Sequence, residues 1–122
     1  MNLTLDHNQR LNLVAMLDNI ENVGRREAWA VCALQERLDL NDEERTIIGW
    51  RKFKREDGLE YVLYNRNGEV EPREYELPED DIRRICHAVD RYPVVLGRDK
   101  SWWVPLTAQL PKPAESNGDK LP

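Results

Sequence analysis

In "MNLTL" the apolar residues Leu3 and Leu5 alternate with polar ones, the period of a short strand or an extended lead-in. "DHNQ" follows with the spacing of a capping box, since Asp6 can accept from the amide three residues on while Gln9 reaches back. That predicts a helix. In it Leu11, Leu13, Val14, Leu17 and Ile20 form a broad apolar side when each residue turns by about 100°. "NVGRRE" interrupts, with Gly24 as the expected stop. A second helix is predicted through "REAWAVCALQERL", and its centre is apolar on every side, the pattern of a helix buried between other elements.

"LNDEER" marks a third, short helix with Asn41 as cap, Glu44 at the third helical position and acids where the helix dipole favours them. After Gly49 the text changes to "WRKFKREDGLEYVLYNRNGEVEPREYEL", with the turn signals Asp57-Gly58 and Asn67-Gly68 between runs rich in Tyr, Val and Phe. This predicts a three-stranded antiparallel meander whose last strand, marked by Pro72, is an edge or carries a bulge. A competing reading carries the third helix on to Lys54, because Trp50 and Phe53 are three apart. The next helix is strongly amphipathic: Pro78 suits its first turn, Glu79, Asp80 and Asp81 complement its dipole, and Ile82, Ile85, Cys86, Val89 and Tyr92 keep helical spacing until Pro93.

"PVVLGRDKSWWVPL" reads as two short extended pieces around a glycine loop. In an extended segment neighbouring side chains oppose each other, so Trp102 is expected in the core and Trp103 outside, free to anchor a partner or a second copy of the chain. From Thr107 onward, Pro111, Pro113 and "ESNGDK" hold too little apolar surface to offset their ordering entropy. The expectation is one α+β domain over residues 1–106 and a disordered tail over 107–122. Its parts are N-terminal helices, the meander, a C-terminal amphipathic helix packed on that sheet, and an extended end.

Composition narrows the function classes. The chain has 122 residues, enough to bury a core without staples, and the longest unbroken apolar run, Ala28 to Leu34, falls far short of the roughly 20 residues that cross a bilayer. With no basic and apolar leader at the start, the expected location is cytoplasmic. Six scattered glycines build no phosphate-cradling loop, and Ser101 and Ser116 lie in no nucleophile elbow. Cys32 and Cys86 read as small core residues in a reducing compartment. Cys86-His87 looks like a thiol-imidazole pair, but adjacent helical residues diverge by about 100°, leaving His87 on the surface, and His7 is not at metal-ligand spacing. No cofactor, metal or catalytic residue is expected.

Charge is distributed unevenly about a net of -5. Residues 56 to 81 hold ten acids and two cations, whereas 51 to 55 hold four cations and no acid. Glu69, Glu71, Glu74, Glu76, Glu79, Asp80 and Asp81 are therefore expected either as a solvated face or as a negative surface that steers toward a basic partner. "WRKFKR" interleaves Trp50 and Phe53 with Arg51, Lys52, Lys54 and Arg55, the composition of a nucleic-acid contact. The plainer reading has the aromatics packed inward and the cations paired with acids such as Glu56 and Glu60.

The segments "LTLDHNQRLNLVAMLDN", "LDLNDEER" and "REYELPEDDIRRI" together resemble small proteins of unassigned function encoded by bacteriophages and prophages. The resemblance spans about Met1 to Tyr92 and implies no catalytic residues. The expected function is a non-enzymatic interaction protein, such as an inhibitor or accessory factor that occupies a surface of a host or phage protein. Its expected contacts are the acidic block and Trp103, with no membrane partner and no direct nucleic acid. The alternative is a small nucleic-acid-binding regulator using Trp50 to Arg55.

Overall fold

A computed structural model describes residues 1–65 and 70–112. In chain order the elements are β1 (Asn2–Leu5), α1 (His7–Leu17), α2 (Arg25–Leu38), α3 (Asp42–Ile47), β2 (Arg51–Lys54), β3 (Glu60–Leu63), β4 (Arg73–Glu76), α4 (Glu79–Arg91) and α5 (Leu96–Ala108). The architecture is α+β, with α1 central and packed against α2, α4 and α5.

Local chemistry sets the first helices as expected. Asp6 accepts from the Gln9 amide at 2.8 Å while the Gln9 side chain accepts from the Asp6 amide at 2.9 Å, and Asn41 and Glu44 repeat the exchange at the start of α3. Gly49, at φ +67°, ends α3 with two bonds, from its own amide to the Thr46 carbonyl and from the Trp50 amide to the Arg45 carbonyl. This is a Schellman closure, and the left-handed position favours glycine. It also turns the chain straight into β2, so the continuation of α3 to Lys54 does not occur. Gly24 does not stop α1, which ends at Leu17; it stands at the N-cap of α2.

The strands pair differently from the meander. There are two antiparallel two-stranded sheets, β1 with β4 and β2 with β3. β1 meets β4 with Leu3 opposite Tyr75, which puts Leu3, Leu5, Tyr75 and Leu77 into the core and leaves Thr4, Glu74 and Glu76 outside. Met1 and Leu77 extend the ladder through two further bonds. β4 takes β1 as its partner, so Tyr75 and Leu77 share the core with the wholly buried Leu3 and Leu5, whereas Tyr61 and Leu63 of β3 stay exposed. The Asn67-Gly68 turn lies outside the described residues.

One core unites Leu3, Leu5, Leu13, Leu17, Leu34, Leu38, Tyr75, Ile85, Trp102 and Leu106 with their neighbours. α4 enters it by packing on α1, not as a final helix laid over a sheet. The stretch expected to be extended is instead α5. Its start is tied by the buried Asp99 carboxylate, which accepts from the Val95 amide at 3.0 Å and the Tyr92 hydroxyl at 2.9 Å. Trp102 and Leu106, one turn apart, point inward, and Val104 is exposed. Pro105 and Gly97 argue locally against a helix, but burying Trp102 against Tyr92 and Leu106 against α1 outweighs those propensities.

Because α5 continues through Ala108, the expected boundary after residue 106 falls within a helix. The Gln109 side chain then accepts from the Thr4 amide at 2.7 Å and donates to the Thr4 carbonyl at 2.9 Å, closing the free edge of β1. The rest of the predicted tail, from 113 to 122, lies outside the described residues. α2 departs from expectation too: only Val31, Leu34 and Leu38 are buried, and Trp29, Cys32 and Ala33 face solvent. Cys32 is therefore not a core residue, while Cys86 is half-buried against the core.

Candidate interaction surface

β2 and β3 form a hairpin around the Asp57-Gly58 turn, where Gly58 has φ +89° and the Asp57 carboxylate accepts from the Leu59 amide at 3.0 Å. Its base is anchored. Trp50 stacks on Tyr64 at 6.0 Å between ring centroids, the Arg45 guanidinium lies 5.2 Å above the Trp50 ring, and the Asn65 amide donates to the Ile48 carbonyl at 2.8 Å. These rings cover a second, small core of Leu40, Ile48 and Val70. Tyr64 also meets the edge of buried His7 at 6.2 Å.

Beyond that base the hairpin stands away from both cores. Its register places Phe53 opposite Tyr61 and Arg51 opposite Leu63, so these four side chains share one face. Phe53 and Tyr61 stack at 5.2 Å and 17°, yet they remain 37% and 43% exposed, and Leu63 is 55% exposed. Neither outer edge of the hairpin has a strand neighbour among the described residues. Exposed edges and a flat apolar face are what a folded chain ordinarily covers.

The cations here are not neutralised by the neighbours expected to pair with them. Arg55 bonds Asp57 at 3.1 Å, but Arg51, Lys52 and Lys54 have no hydrogen-bond or ion-pair partner among the described residues. Trp50 is spent on the anchor. Of the residues predicted for nucleic-acid contact, the structure thus leaves Arg51, Lys52 and Lys54 free, and it adds Phe53, Tyr61 and Leu63. The Phe53–Tyr61 pairing was legible in principle, because the two residues are equidistant from Asp57 in the turn.

The acidic block is less uniform than its composition. Glu71, Glu74, Glu76 and Glu79 are exposed, but Asp80 accepts from Arg83 and Asp81 from Arg84, each at 2.7 Å. Arg84 also forks onto both carboxylate oxygens of Glu27 at 2.8 and 2.9 Å, which lowers the Glu27 pKa and raises that of Arg84. Glu69 lies outside the described residues. Trp103 is half-buried against the core, beside Cys86, Val89 and Leu110, and its indole nitrogen is enclosed without a hydrogen-bond partner. It is not the exposed anchor expected from an extended segment. His87 is exposed and Cys86 turns inward, where burial pushes the thiol pKa up.

Comparison with protein-family models, with curated proteins and with solved structures finds no match to this chain. No helix among the described residues is long and apolar enough to cross a membrane.

Proposed function

We propose that the chain is a non-catalytic protein-binding protein whose contact element is the β2–β3 hairpin. One observation carries this reading: the stacked Phe53 and Tyr61, with Leu63, belong to neither core, so the hairpin's apolar face does nothing for the fold that holds it. A two-stranded hairpin of this kind is marginal alone and gains by being covered. Its open edges suit an added strand from a partner, while Arg51 beside the apolar contact, with Lys52 and Lys54 on the reverse face of the same strand, favours acidic margins around it. The partner's face is then apolar with acidic margins, the opposite of the basic face that the acidic block implies. The chain acts by occupying that face, in a reducing cytoplasm where Cys32 and Cys86 remain thiols.

A second reading is favoured by the same free cations: a single strand of nucleic acid stacking on Phe53 and Tyr61. Three cations give a salt slope of only about -2 for single strands. Titration of a labelled single-stranded oligonucleotide at physiological salt separates the two. The protein-binding reading expects no saturable binding, and a micromolar complex lost in Phe53→Ser/Tyr61→Ser replaces it with the nucleic-acid reading.

A further inference from the structure

The outward side of α2 carries a second surface. At about 100° per residue, Arg25, Arg26, Cys32, Ala33 and Glu36 all fall within about 60° of Trp29, opposite the buried Val31, Leu34 and Leu38. Trp29 is 72% exposed, the highest value among the large hydrophobic residues described. The charges on this stripe are placed against the helix dipole, with two cations in the first turn and an acid in the last. Elsewhere on α2 the charges run with the dipole and are occupied: Glu27 binds Arg84, and Arg37 donates to the Glu76 carbonyl at 2.7 Å. Arg25, Arg26 and Glu36 have no partner among the described residues. Nothing among the described residues offsets their unfavourable placement.

We infer that this stripe is a self-complementary surface on which two copies of the chain associate through antiparallel α2 helices. A twofold axis midway between Trp29 and the Cys32–Ala33 pair, level with Val31 along the helix, sets Arg25 and Arg26 of one copy beside Glu36 of the other, on both sides of the axis. Ala33 and Cys32 leave a shallow place in which the partner copy's Trp29 lies, and the opposed helix dipoles align favourably. A basic or an acidic foreign partner would match only one end of the stripe. A second copy matches both.

The test is sedimentation equilibrium of the full chain over a wide concentration range under reducing conditions. The native chain is expected to show a monomer–dimer equilibrium that Trp29→Ala weakens by about tenfold or more. Arg25→Glu/Arg26→Glu sets like charges together and gives a monomer, whereas adding Glu36→Arg to those two changes restores the dimer. These charge changes lie on an exposed face and suit the helix dipole better than the native residues, so circular dichroism should show intact folding. A native monomer at every concentration, a dimer indifferent to Trp29→Ala, or a charge-swapped chain that stays monomeric overturns the inference.

Discussion

The guanidinium of Arg10, on α1, is wholly buried and holds both carboxylate oxygens of Glu44, on α3. Arg10 also donates to the Leu38 carbonyl at 2.9 Å and the Asp39 carbonyl at 2.8 Å, so one side chain closes the end of α2. Glu44 accepts in turn from the Asn41 amide at 3.0 Å. The pair therefore fixes the start of α3, and α3 ends in the turn that launches the hairpin.

That relationship predicts an acid-sensitive fold. The hydrogen bonds from Arg10 are the main cause that draws the Glu44 pKa down from 4.5 to about 2, helped by the Asn41 amide and the charges of Arg10 and Arg73, against burial. The folded value lies below the unfolded one, so the stabilisation is complete above about pH 4.5 and is lost as pH falls through about 2. The difference corresponds to on the order of 3 kcal/mol. Glu44→Gln should cost about 3–5 kcal/mol at pH 7, because it leaves the Arg10 charge buried without a counter-charge. Urea unfolding of both chains from pH 7 down to pH 2 checks this, and equal stability at pH 7 contradicts it.

The two adjacent tryptophans should differ in degree, not in kind. Trp102→Ala empties a buried site against Tyr92 and is expected to cost about 3–5 kcal/mol. Trp103→Ala removes a half-buried ring and should cost about 1–2 kcal/mol. Denaturant unfolding of each variant measures it. A Trp103→Ala chain as stable as the native one restores the exposed-anchor reading.

Deleting residues from Thr107 onward should lower the melting temperature by several degrees, since it removes the end of α5, Leu110 and the Gln109 clamp on Thr4. Gln109→Ala alone should cost about 1 kcal/mol for the two bonds lost at an exposed strand edge. Thermal unfolding of both chains provides the measurement. An unchanged melting temperature after the deletion would mean that this segment contributes nothing to the domain.

What the sequence reveals depends on how local the cause is. Asp6 with Gln9, Asn41 with Glu44, and Asp57 with Gly58 act within a few residues, and the structure has both capped helices and the hairpin at those places. The partner of β4 is another matter, because Leu3 and Tyr75 are brought together by burial across most of the chain. α5 hides for a similar reason: Gly97, Val104 and Pro105 disfavour helix locally, and Trp102 and Leu106 share a side in an extended segment as in a helix, so only the exposure of Val104 separates the two. At the candidate surface, "WRKFKR" gives the positions of the cations but not that Arg55 is held by Asp57. It cannot show that Trp50 is used in the anchor or that Tyr61 completes an exposed aromatic pair with Phe53.

The most direct measurement is photo-crosslinking at two positions of the full chain, in the cells where it is naturally made. A photoreactive phenylalanine analogue replaces Tyr61 on the hairpin in one chain and Glu74 on the acidic outer face of β4 in the other. The hairpin account predicts a discrete, nuclease-resistant protein adduct from position 61 that is absent from position 74. An adduct formed at 74 and not at 61, or a position-61 adduct that nuclease removes, contradicts it.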